Sequence, residues 1–94
     1  MKKIVFYRDE FKWAEEFYSI IKRKLLLPNW FGNNPDALWD MLTGFIETPI
    51  EIEFVGFNKK ENDYNGEVLS QILKCFKDAE KANPTEFRIK FKDE

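Results

Sequence analysis

Histidine is absent from the 94 residues. That excludes acid/base catalysis through imidazole, Ser-His-Asp and Cys-His nucleophile systems, and His-ligated metal sites. Cysteine occurs once, at Cys75, so neither an internal disulfide nor a zinc site of four cysteines can form, and a reducing, cytoplasmic setting is expected. No run approaches the roughly 18 apolar residues of a membrane span. The apolar stretch Ile4, Val5, Phe6 and Tyr7, closed by Arg8, Asp9 and Glu10, is too short for a signal peptide. Repeats, low-complexity stretches and linkers are also missing. Lys plus Arg number 15 and Asp plus Glu number 17, a balance that argues against a general nucleic-acid binder.

What remains is 44% apolar and 34% charged, with ten Phe to fill a core, the composition of one globular domain spanning residues 1–94. Strand patterns recur three times: a short apolar run at 4–7, Ile-Glu-Ile-Glu-Phe-Val at 50–55, and Phe-Arg-Ile-Lys-Phe-Lys at 87–92. Helical spacing fills the intervals. Ala14, Phe17, Ile21 and Leu25 predict a helix over about 10–26, stopped by Pro28. After a loop holding Trp30, Phe31 and Gly32, Asn34 as N-cap and Pro35 at the first helical position open a second helix, ended by Gly44. Asn65-Gly66 predicts a turn, and Val68, Leu69, Ile72, Leu73, Phe76 and Ala79 a third helix ending near Asn83-Pro84.

Strands separated by helical crossovers are normally parallel. Here alternate positions are charged (Glu51 and Glu53; Arg88, Lys90 and Lys92), so one face of the sheet should be solvated and helices should cover only the other. Right-handed crossovers then require the strand order 1-2-3. The expected fold is therefore α/β, two-layered, with a three-stranded parallel sheet. On its open face Glu51 and Glu53 would be solvent-accessible beside Arg88 and Lys90.

Charge is distributed unevenly. Residues 25–58 contain no Lys or Arg, while Asp36, Asp40, Glu47, Glu51 and Glu53 contribute −5, which leaves +3 for the rest. In the second helix, Asp36, Trp39, Asp40 and Thr43 share one face, and Leu38, Met41, Leu42 and Phe45 form another suited to the core. Asp36 lies in the first turn, where the helix dipole favours an anion. Asp40 lies towards the other end and gains nothing from the dipole, so it breaks a local rule without visible compensation. Trp39, at least half exposed by its place on the helix, would join these two aspartates in a binding surface.

The aromatics could stack on bases, but the segment has no basic groove to follow phosphates. Two carboxylates about 6 Å apart along a helix axis, beside flat rings, imitate nucleic acid instead. Their natural partner is a basic nucleic-acid-binding cleft, contacted through charge-assisted bonds to Arg. Two carboxylates one turn apart could hold magnesium, but no third ligand is evident, so no metal or cofactor is expected.

The stretch 27–44, reading Leu-Pro-Asn-Trp-Phe-Gly-Asn-Asn-Pro-Asp-Ala-Leu-Trp-Asp-Met-Leu-Thr-Gly and followed by Pro49 and an alternating strand, closely resembles the barstar family of intracellular ribonuclease inhibitors. The resemblance implies a barstar-like fold and a cytoplasmic protein, not an enzyme, that plugs the active site of a secreted, barnase-like, guanyl-preferring ribonuclease. The implied partner is that ribonuclease, bound as a heterodimer at its basic cleft, with no direct contact to nucleic acid or membrane. Carried over residue by residue, the implied contact set is Trp30, Asn34, Pro35, Asp36, Trp39, Asp40, Thr43, Gly44, Phe45 and Glu47, with Asp78 in the third helix. Asp40 would enter the enzyme's phosphate pocket, and Asp36 would contact the cleft. Three positions depart from the family's usual residues: Trp30 stands for Tyr, Phe45 for Trp, and Asp78 for the longer Glu. The alternative is an immunity or interaction module on the same scaffold, directed at a different nuclease toxin or a non-nuclease partner.

Overall fold

The computed structural model describes residues 1–93. Its strands are β1 (Lys2–Tyr7), β2 (Ile50–Val55) and β3 (Phe87–Lys92), all parallel and in the order β1-β2-β3. The last two match the predicted spans, and β1 starts two residues before its apolar run. Ile52 lies in register between Ile4 and Ile89. Residues of this alternation (Phe6, Ile50, Ile52, Phe54, Phe87) are buried and share one core with the helical residues Phe17, Ile21, Leu38, Leu42, Ile72 and Phe76. Helices therefore cover a single face, as a sheet with charged alternate positions requires.

The other face carries the charges. Glu51 and Glu53 lie opposite Arg88 and Lys90 in the ladder, but their ion pairs are displaced by one step. Glu51 pairs with Lys90 at 3.4 Å, and Glu53 with Lys92 at 3.0 Å. Lys3 of β1 reaches both acids, at 3.6 and 3.1 Å. Glu53 is not solvent-accessible as the alternation predicted. It is only 5% exposed, with Lys3 and Lys92 reaching its carboxylate from the two neighbouring strands. Hydrogen bonds from Lys92 and Lys3 hold its carboxyl below the ordinary range.

The first helix is shorter than its periodicity implied. Two 3-10 turns, Arg8–Glu10 and Ala14–Glu16, precede α1 (Phe17–Lys24). Between them Phe11 and Trp13 are extended, which turns the Phe11 ring into the core, stacked on Phe17 at 4.8 Å. A distant side chain holds this break: Asn65 accepts from the Ala14 N–H at 3.1 Å and donates to the Lys12 carbonyl at 3.2 Å. The same residue explains the second departure. Asn65-Gly66 forms no turn but lies inside α3 (Asp63–Ala82), whose N-cap Asn62 accepts from the Asn65 N–H at 2.8 Å. Buried between α3 and the 8–16 segment, Asn65 gains more from tertiary hydrogen bonds than from a local turn.

At its C-terminal end α1 closes in a Schellman motif. The Leu27 N–H donates to the Lys22 carbonyl at 2.9 Å, and the Leu26 N–H to Arg23 at 3.3 Å. Leu26 occupies the position where glycine is favoured. Its φ is 55°, in the left-handed region that costs a Cβ-bearing residue roughly 1–2 kcal/mol, and its side chain is 75% exposed. Leu26→Gly should therefore raise stability by about 1 kcal/mol in urea unfolding; a loss of stability would show that the side chain has a packing role.

Arg8, just after β1, grips Glu61 in the loop before α3. Its Nε donates to Oε2 at 2.7 Å and its Nη2 to Oε1 at 2.8 Å, while Nη1 donates to the Phe11 carbonyl at 2.7 Å. These guanidinium bonds hold the Glu61 carboxyl below its ordinary range. A carboxylate with a depressed folded pKa contributes its full stability above the unfolded value, near 4.3, and loses it as pH falls through the folded value. Urea midpoints followed from pH 5 to pH 3 should therefore fall more steeply for the wild type than for Glu61→Gln. Parallel curves would leave the pair without this effect.

Candidate functional site

α2 (Pro35–Gly44) begins as the sequence predicts. The Asn34 side chain accepts from the Ala37 N–H at 2.8 Å, and Pro35 takes the first helical position. Leu38, Met41 and Leu42 turn inward and are buried, each contributing roughly 1.5–3 kcal/mol of apolar burial as an upper bound. This anchoring fixes the rotation of the helix, so Asp36, Asp40 and Thr43 all point outward. The Thr43 hydroxyl donates to the Trp39 carbonyl at 2.8 Å, which ties the last turn.

Two aromatic expectations are corrected. Trp39 is only partly accessible, because it packs against the core instead of standing at least half exposed. Phe45, assigned by spacing to the core face, is 50% exposed. It caps α2 in a non-helical conformation, so the 3.6-residue periodicity no longer governs where its ring points. Trp30, in the loop before α2, is 72% exposed.

The sequence-derived residues form two neighbourhoods. Asn34, Pro35, Asp36, Trp39 and Asp78 line a groove of about 670 Å³ between α2 and α3, together with Gln71, Lys74 and Cys75. Phe45 and Glu47 line a separate groove of about 370 Å³ with Lys2, Leu25, Leu26, Ile46 and Ile50. Trp30, Asp40, Thr43 and Gly44 are exposed and border neither groove. The Cys75 thiol donates to the Pro35 carbonyl at 3.5 Å and so tethers α3 to the start of α2. Burial pushes its pKa up, which keeps it a thiol and not a nucleophile.

The acids of the candidate site differ in their partners from those of the sheet. Asp36, Asp40 and Glu47 have no ion-pair partner among the described residues, whereas Glu10, Glu51, Glu53 and Glu61 are all paired. Only Asp78 departs from this division within the site: Lys74, one turn earlier on α3, holds it at 2.8 Å. Sequence reasoning missed Lys74, although its i, i+4 spacing to Asp78 was the available signal. Among the described residues, no three His, Cys, Asp or Glu side chains gather to hold a metal ion.

Together these features define an α/β protein with a single helical layer and an acidic, aromatic helix whose carboxylates have no ion-pair partner among the described residues. The family model for Barstar (barnase inhibitor) matches residues 1–92, and the chain belongs to that family. It is also 32% identical over 89 residues to "Putative ribonuclease inhibitor YrdF" of Bacillus subtilis (strain 168), an alignment covering 95% of this chain and 97% of that protein.

The cap fixes where the helix begins and hence where Asp36 and Asp40 face. Asn34→Ala should cost about 1 kcal/mol of stability in urea unfolding, whereas Asp36→Ala should cost under about 0.5 kcal/mol as an exposed first-turn acid. Equal costs would mean that Asp36 has a structural role comparable to the cap.

Proposed function

We propose that this chain, acting as one domain, is an intracellular inhibitor of a secreted, barnase-like, guanyl-preferring ribonuclease and has no catalytic activity of its own. One observation carries the reading: Asp36, Asp40 and Glu47 stand outward from and just beyond one helix with no ion-pair partner among the described residues, while the acids of the sheet are paired. Unpaired anions on a rigid helix are preorganised for a cationic cleft, since no internal bond must break before they bind. In this reading Asp40 enters the phosphate pocket of the enzyme, and Asp36 adds a second anion about 6 Å along the axis. Trp30 and Trp39 lie where bases would stack, and Asn34, Pro35, Thr43, Gly44, Phe45, Glu47 and Asp78 supply shape and exclude water. The complex is a heterodimer that blocks RNA from the active site and protects the cytoplasm of the producing cell.

The expected result is stoichiometric inhibition of barnase, competitive with a fluorogenic RNA. Asp40→Ala should weaken binding most, by roughly 100-fold or more, a scale that the barnase–barstar pair itself helped to set. Trp30, Trp39 and Asp36 substitutions should follow, with Asp78 below them. Association should slow steeply with ionic strength while dissociation changes little. Undiminished RNA cleavage at micromolar inhibitor, across several such ribonucleases, would overturn this reading and favour the nuclease domain of a different toxin as the target.

A further inference from the structure

Asp78 differs from the other acids of the candidate site because a cation from its own helix already holds it. Lys74 Nζ donates to Asp78 Oδ2 at 2.8 Å, and both side chains line the groove that also contains Asp36. A structural purpose for this pair is hard to find. The Lys74 side chain is 74% exposed and that of Asp78 46%, so the bridge is a solvent-screened surface pair of little worth to folding. Its polarity is also the less favourable one, with the cation N-terminal to the anion, and Asp78 lies towards the C-terminal end of α3, where the helix dipole disfavours an anion.

We propose that Lys74 is a specificity-determining residue: an internal counter-ion that occupies Asp78 in the free protein and must be displaced before a partner's cation can use that carboxylate. The inference rests on the ribonuclease-inhibitor reading and assigns a role to a residue that this reading does not use. Displacement follows from the positions of the two groups. The ammonium is a single, exposed point charge on a flexible stem, and the groove has room for an incoming side chain beside it. A guanidinium, which can bond both carboxylate oxygens at once, would compete better for Asp78 than an ammonium. Lys74 therefore attenuates binding to basic clefts in general. It penalises least those clefts whose cation can replace it fully, and such selective penalties are how interfaces discriminate between partners of like charge.

The test is a double-mutant cycle on the full chain, with barnase as the probe. Dissociation constants and association rates are measured for wild type, Lys74→Met, Asp78→Asn and the double variant, with circular dichroism confirming that each is folded. Lys74→Met should tighten binding about fivefold, and the same substitution in the Asp78→Asn background should change it less than about twofold. Arg88→Gln removes an equal charge from the open face of the sheet and should change binding less than about twofold. Equal gains in both Asp78 backgrounds would mean that Lys74 acts only through net charge and would overturn the proposal. Weaker or unchanged binding by Lys74→Met would overturn it as well. Both results are distinguishable from failure of the inhibitor reading, in which the wild type itself neither binds nor inhibits barnase.

Discussion

Phe54, on the middle strand, is the residue around which the protein is assembled. Its ring stacks on Phe6 of β1 at 5.5 Å and on Phe91 of β3 at 5.1 Å, and it meets Phe76 of α3 edge-on at 5.1 Å. Phe57 and Phe17 complete the cluster at 5.3 and 6.4 Å. One side chain thus links all three strands to α1 and α3, and its burial is complete. Offset-stacked and edge-to-face contacts add to area burial, which matters for a domain small enough to have one core. The cost of this economy is a sheet face that no helix covers.

That uncovered face decides how the charges are used. A parallel strand in the middle of a sheet would ordinarily be apolar on both sides. Glu51 and Glu53 hold those positions here only because Lys3, Lys90 and Lys92 reach across from both neighbouring strands. Two of the five acids in the lysine-free segment are therefore consumed by the architecture. The remaining three, Asp36, Asp40 and Glu47, lie on α2 or just beyond it, and these produce the polarity of the protein. Net charge alone conceals this division, because structural and unpaired acids count equally in it.

Much of this was legible in the sequence. Alternation placed β2 and β3 at their observed limits, and together with the charged alternate positions it led to strand order 1-2-3 with helices on one face. The Asn34-Pro35 cap placed the start of α2, and the motif around it carried the family resemblance. What failed to read correctly depends on contacts between residues far apart in the chain. The break before α1 needs Asn65, about 50 residues away, and the first turn of α3 hides behind an Asn-Gly pair that in isolation favours a turn. Glu53 is buried where lysines from two other strands converge on it, which no local pattern contains. Phe45 lies one residue past the helix, where periodicity ceases to predict direction. Within the candidate site, Asp36 and Asp40 followed from spacing, whereas the division into two grooves depends on how α2 packs against α3 and against the ends of β1 and β2.

A physical tension joins these observations. An acid near the C-terminal half of a helix, such as Asp40, is disfavoured by the dipole, and three unpaired anions on and beside one short helix repel one another. Among the described residues, no ion pair relieves either cost. The cost is tolerated because Leu38, Met41 and Leu42 anchor the helix in the core, so its orientation does not depend on the outward face. That independence allows the outward residues to be selected for what they meet instead of for folding, as expected where a local rule is broken at a functional surface. Asp78 shows the opposite choice on the neighbouring helix, where the same type of charge is given a partner. The groove between α2 and α3 therefore sets a carboxylate left open beside one that is already occupied, and this asymmetry distinguishes the surface from a uniformly acidic patch.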